Sequence, residues 1–398
     1  MLMPHVIVAL VCLAVAAGGC GPVAAPSAST RPSPSTRPSL DPLRVTRSGW
    51  STDFTVSSVH LGDFQAGGPP RDGIPTIDQP HFESMAAARS WLAPGSPVIA
   101  LEVDGMVRAY PLAILIWHEI VNDMIGGVPV VVTFCPLCHA GLAFERTLDG
   151  TVHEFGVTGN LRFLDLVMYD RQTESWWQQA TGEAIVGELT GSKLVFLPTQ
   201  IVSIADFGAA YPGGEVLSRD TGVERPYGQN PYPGYDRANY RGFKYANEVD
   251  GRLAAKERVV TLDLDGEPLA IPYAELEVEG VIEVGSGPTL VIVVWRPGAT
   301  SALEIDQIDR GRDVGATGVF VPVADGRRLT FRPANAGDAA MTDKETGSTW
   351  SVTGRALTGP LAGTQLAPVL HGDFFWFAWA SFEPDTRIWG QAGASATP

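Results

Sequence analysis

One stretch of this chain is written twice. "VIALEVDGMVRAYPLAIL" from Val98 and "VVTLDLDGEPLAIPYAEL" from Val259 match without a gap at an offset of 161 residues, the distance from Pro111 to Pro272. Asp104-Gly105 falls on Asp265-Gly266, Ala113 on Ala274 and Leu115 on Leu276. The same offset carries "VPVVVTFCP" onto "TLVIVVWRP", so that Pro136 meets Pro297. Further on, "MYDRQTESWWQQATGEAIVGELTGSKL" from Met168 matches "MTDKETGSTWSVTGRALTGPLAGTQL" from Met341. A match that keeps turns, prolines and apolar phase in step restricts the fold to two versions of one unit. They cover roughly residues 90–215 and 255–390.

The unit is built from short β-branched runs ending in turn signals: "VPVVVTF", "RVVTLDLDGEPLAIP", "TLVIVVW", "GVFVPVADGRRLTF". Several hold an Asp-Gly pair between alternating apolar residues, which is a hairpin signal. The best helical candidate is "PLAILIWHEIVNDMIGG", where Ala113, Trp117, Val121 and Met124 or Ile125 recur at helical spacing. A helix there places His118 and Asn122 on one face and Glu119 and Asp123 on the neighbouring one. The expected class is mainly β (α+β), an internally duplicated two-unit architecture with few short helices. The units are an N-terminal one over 46–250 and a C-terminal degenerate repeat over 251–398.

The first residues, "MLMPHVIVALVCLAVAAGGC", form an apolar run too short to span a membrane, ending in small residues before Cys20. "AAGGC" resembles the lipobox of bacterial lipoproteins, so residues 1–20 read as a signal peptide and Cys20 as a lipidated N-terminus. Residues 21–45, rich in Pro, Ser and Thr, cannot bury a core and read as a tether. The expected location is the extracytoplasmic face of the cell membrane, with the membrane as partner through the N-terminal lipid. A formal net charge of −16 excludes nucleic acid as a natural partner. No later segment has the apolar length of a membrane span. Cys12 leaves with the signal, so Cys135 and Cys138 are the thiols of the folded part.

The second copy serves as an internal control. It keeps the Asp-Gly turns, the prolines, Met168 (as Met341) and Trp177 (as Trp350), which marks these as scaffold. His118 faces Glu279, Glu119 faces Gly280, Asn122 faces Glu283, Asp123 faces Val284 and Cys135 faces Arg296. Cys138 and His139 face Ala299 and Thr300, in front of an "ALEID" strand. Every candidate ligand is thus missing from the second copy.

"VVVTFCPLCHAG" has four readings. Cys135-x-x-Cys138-His139 satisfies the c-type haem pattern, but the following "AGLAFERTLDGTVHEFGV" alternates around an Asp-Gly turn, which argues against a helix carrying the histidine. The same hairpin argues against a thioredoxin-type helix at Cys138. Two thiols across a proline turn can share a soft or borderline ion, copper or zinc, with further ligands from His118 and His139. Glu119, Asn122 and Asp123 are candidates to support those ligands. A turn with a fortuitous thiol pair is the fourth reading. The leading function is transition-metal binding. The alternatives are a thiol–disulfide oxidoreductase or sulfur-dependent enzyme, and a non-catalytic surface scaffold.

"YPLAILIWHEIVND", "GGVPVVVTFCPLCHAGLAFER", "FGVTGNLRFLDLVMYDRQTESWWQQATGEAIVG" and "LSRDTGVERPYGQNPYPGY" together resemble the DUF3179 family, exported proteins of undefined biochemical function. The resemblance covers most of residues 90–245. It implies that His118, Glu119, Asn122, Asp123, Cys135 and Cys138 belong to the family's characteristic core. It also implies a small residue after the second cysteine, from which His139 departs.

Overall fold

At Asp104-Gly105, Asp149-Gly150, Asp265-Gly266 and Asp325-Gly326 both residues take positive φ, from 49° to 85°. That is the conformation that lets a two-residue turn follow the right-handed twist of its strands. Each pair closes a hairpin where the sequence places one. The first joins Pro97–Val103 to Met106–Pro111, with Val98 opposite Pro111 and Val103 opposite Met106. The third joins Arg258–Leu264 to Glu267–Pro272, with Val259 opposite Pro272. The chain is mainly β, with short helices.

The computed structural model describes residues 47–238, 240, 248–286, 289–334 and 337–391. The expected signal peptide, Cys20 and the tether over 21–45 lie outside these. All described residues belong to one compact unit. None of its helices is long and apolar enough to cross a membrane.

The helical candidate is half right. The helix Leu112–His118 is real and buries most of one turn after another, but it stops at Glu119, whose backbone turns to φ 58°, ψ −33°. Ile120–Ile125 is a strand, paired antiparallel with Val128–Cys135 around Gly126-Gly127. Asn122 and Asp123 therefore lie on a strand, and no helical face joins His118 to Asn122. The spacing of Val121 and Ile125, four residues apart and both buried, fits both periods over so short a run. The β-branched residues and the two-glycine turn decide it for the strand.

Five successive elements recur in the second half at the same offset of 161: two hairpin strands, the helix Tyr273–Glu279, and the strands Val281–Ser286 and Thr289–Arg296. Flanking pairings recur as well. Glu215–Leu217 runs parallel to Met106–Pro111 at Arg108, and Arg387–Ile388 runs parallel to Glu267–Pro272 at Leu269. A difference appears after the last shared strand. In the first half Cys135 pairs with Ala140 across a four-residue turn. In the second, Arg296 pairs with Ala316, and residues 297–315 fill the gap. The expected strand at "ALEID" is therefore not one; its residues lie in that excursion, which bonds back through Glu304 and Asp306 to Gly234 and Asn230. One continuous hydrophobic core contains residues of both halves, among them Trp177 and Trp350.

Candidate functional site

The strand Val128–Cys135 is buried from Val130 onward and delivers Cys135 into the core. The turn after it holds Cys138 and ends at His139, whose φ of 60° lets the chain re-enter Ala140–Glu145. A short loop closed by one left-handed residue is a usual hairpin connection. The turn is fastened from outside: the Tyr235 hydroxyl donates to the Leu137 carbonyl at 2.8 Å, and the Phe375 N–H donates to the Cys138 carbonyl at 2.9 Å.

A third group meets the two thiols. Asp165 begins the strand Asp165–Asp170, directly after the turn Phe163-Leu164, where φ is 56° and 65°. Bulky residues adopt that conformation at a cost of about 1–3 kcal/mol each, which the surrounding fold must hold in place. The two sulfurs and one Asp165 oxygen all lie within 4.8 Å of one another, and all three residues are buried. Asp165 is held as a ligand would be. Its Oδ2 accepts from Gln178 Nε2 at 2.5 Å and from the Ala180 N–H at 2.9 Å, leaving Oδ1 to the Cys138 thiol at 2.8 Å. Cys135 Sγ lies 3.7 Å from the Leu164 carbonyl oxygen.

The electrostatics follow from burial. Removal from water pushes both thiols up, Cys138 furthest, and the Asp165 carboxylate adds to both. Burial lifts Asp165 to about 6 against the opposition of its hydrogen bonds. Burial, then Asp165, lifts Glu119 to about 8. A nucleophilic cysteine needs the opposite environment, a helix N-terminus or a cation that favours the thiolate. Thiols held protonated by anionic neighbours become good ligands when a cation arrives and displaces the protons.

The structure separates the other expected ligands from this group. His118 spends both ring nitrogens elsewhere, Nδ1 on the Pro75 carbonyl at 2.6 Å and Nε2 on the Tyr227 hydroxyl at 2.7 Å. It is a hydrogen-bonded core histidine that burial keeps neutral. His139 packs between Phe134 and Phe375, and its Nε2 accepts from the Arg258 guanidinium. That is the nitrogen an axial haem ligand would need. Asn122 pins its strand to Phe155, donating to the carbonyl and accepting from the N–H, each at 2.9 Å. Asp123 accepts from Arg108 and from the Tyr110 hydroxyl, the latter at 2.6 Å. Both are structural anchors. Only Glu119 of that group joins the electrostatics of the cysteines. Met168, fully buried like Met341, is core.

Asp165 escaped the reading of the sequence for a definite reason. At the offset of 173 that joins Met168 to Met341, Asp165 corresponds to Asp338, so an aspartate stands in both halves and looks like scaffold. In the second half Asp338 is exposed. Arg296, in the place of Cys135, bonds to the Asp338 carbonyl and pairs with Asp206 at 2.7 Å. The available signal was an acid opening a strand, "DLVMYD", that is otherwise apolar until its far end.

A family model described as "Protein of unknown function (DUF3179)" matches residues 71–386. The match extends beyond the 90–245 of the resemblance and takes in the second half. No curated protein and no solved structure matches the chain.

Proposed function

We infer a metal-binding role from this premise: the chain belongs to the DUF3179 family, whose description names no reaction, so function has to be argued from the site. The observation that carries the inference is the buried group Cys135, Cys138 and Asp165, two sulfurs and an oxygen within 4.8 Å. Two thiolates suit zinc, copper(I) or iron, whereas a carboxylate suits harder ions. The mixed set favours zinc over copper(I). Its chemistry at such a site would be that of a charge-neutralising Lewis acid, with Gln178 and the Ala180 N–H orienting the Asp165 ligand. The replacement of Cys135 by Arg296 in the second half supports a single site. A guanidinium paired with Asp206 takes over there, and no similar group of ligands occurs among the described residues.

The reading includes an exported lipoprotein, anchored through Cys20 and tethered by residues 21–45. Cys20→Ser is expected to move the protein from the membrane to the soluble exported fraction. Retention in the membrane would sink that part.

The site is tested by metal content. Full-length protein purified without oxygen and without a metal-binding tag is expected to carry close to one zinc per chain. Cys135→Ser and Cys138→Ser should abolish it, and Asp165→Asn should weaken it by at least about 10–100-fold, the loss that removing an outer partner of a ligand alone brings. His118→Ala should leave it unchanged, since both ring nitrogens are already bonded. A reversible Cys135–Cys138 disulfide with no metal under any growth condition would favour the oxidoreductase instead.

A further inference from the structure

We propose that Glu119 supplies the fourth ligand to the ion held by Cys135, Cys138 and Asp165, making a centre of two sulfurs and two carboxylate oxygens. The proposal rests on the metal-binding reading above and deepens it.

The first observation is backbone conformation. Glu119 ends the helix Leu112–His118 at φ 58°, ψ −33°, and Gly280 ends the helix Tyr273–Glu279 at φ 67°, ψ −40°. This joint demands a conformation that glycine adopts freely and that strains any residue with a side chain. One half meets the demand with glycine, and the half containing the cysteines meets it with a glutamate.

Position is the second observation. The Phe134 N–H donates to the Glu119 carbonyl at 2.8 Å, and Ile120 pairs with Thr133, so Glu119 stands across from the end of the strand that delivers Cys135. The residue is 8 % exposed. It is close enough to the site that Asp165 acts on its carboxyl and it acts in turn on the Cys135 thiol.

The third is the state of the carboxyl itself. No hydrogen bond to it occurs among the described residues, and its oxygens keep a trace of solvent contact. It stands outside the three-residue group, so ligation requires the side chain to rotate about its own bonds, which nothing polar restrains. Tetrahedral zinc asks for four donors, and three are supplied. The Arg162 guanidinium, which burial pushes down while Asp63 and then Asp165 act the other way, offsets part of the negative charge of four anionic ligands.

The test uses full-length protein stripped of metal and titrated without oxygen with cobalt(II), whose visible ligand-field bands report coordination and whose ultraviolet charge-transfer bands report thiolate. Wild type is expected to show both, with the intensity of a four-coordinate ion. Glu119→Gly and Glu119→Gln should keep the thiolate bands, alter the ligand-field bands and bind cobalt and zinc at least about 10–100-fold more weakly, the loss that an outer partner alone brings. Glu119→Gly should also melt about 2–4 °C higher than wild type when metal-free, because the strained joint becomes a relaxed one. A purely structural glutamate would instead lose stability in both variants. Unchanged affinity and bands in both variants overturn the proposal while leaving the three-ligand site intact. Absence of thiolate bands in wild type overturns the metal reading, and the proposal falls with it.

Discussion

Trp177→Ala is expected to destabilise the protein by about 3–5 kcal/mol, and Trp350→Ala by a similar amount, in urea-unfolding curves of the full chain. Both rings are fully buried. Each also ends a local polar frame of the same construction. Trp177 Nε1 donates to Asp170 Oδ2 at 2.9 Å, while Asp170 caps Thr173. Trp350 Nε1 donates to Asp343 Oδ2 at 3.0 Å, while Asp343 caps Thr346. Phe155 and Phe331 stand edge-on to the two rings at 5.6 and 5.7 Å. Truncation therefore removes a large apolar body and leaves a buried carboxylate short of a donor. Because both rings belong to one core, either change should lower the midpoint of a single transition. A loss below about 1 kcal/mol in either variant would contradict this packing.

The second large effect concerns pH. Metal-free wild type is expected to lose stability relative to Glu119→Gln as pH rises from about 4.5 to about 8. His118 and His139, pushed down by burial, act in the opposite sense in both proteins. Glu119 has a folded value raised from 4.5 to about 8, chiefly by burial. Between those values the folded chain holds a proton that the unfolded chain has released. The contribution is complete below the lower value and disappears as pH climbs through the upper. Asp165, raised from 3.8 to about 6, acts in the same direction over a lower window. For Glu119 the full effect is at most about 5 kcal/mol. Denaturant midpoints for both proteins across this range decide the matter. Parallel losses would mean that Glu119 is not the group responsible.

Local chemistry was legible in the sequence. The Asp-Gly hairpins form because two successive left-handed residues are needed there and Asp-Gly supplies them. After Cys138 a strand follows, as expected, but Ala140–Glu145 pairs back with Val128–Cys135, and the hairpin at Asp149-Gly150 joins only Thr147–Leu148 to Thr151–Val152. The end of the helix at His118 was not legible. The apolar residues past it fit two periods, and the chain reverses at a glutamate rather than at the glycine that would have announced it.

Cys135 and Cys138 were found because two thiols across a proline turn are neighbours by covalent geometry alone. The partners were not found that way. Asp165 is 27 residues from Cys138 and meets it only after two hairpins have registered against each other. His118 has the residue type and a nearby place in the chain, yet the fold commits its nitrogens to Pro75 and Tyr227, 43 and 109 residues away. Sequence by itself determined what turns, what alternates and which thiols lie together, because these depend on a few adjacent bonds. Tertiary structure alone decided which carboxylate faces the sulfurs and which histidine is already bonded. Hydrogen bonds and desolvation act between groups that only the folded core brings within a few ångströms.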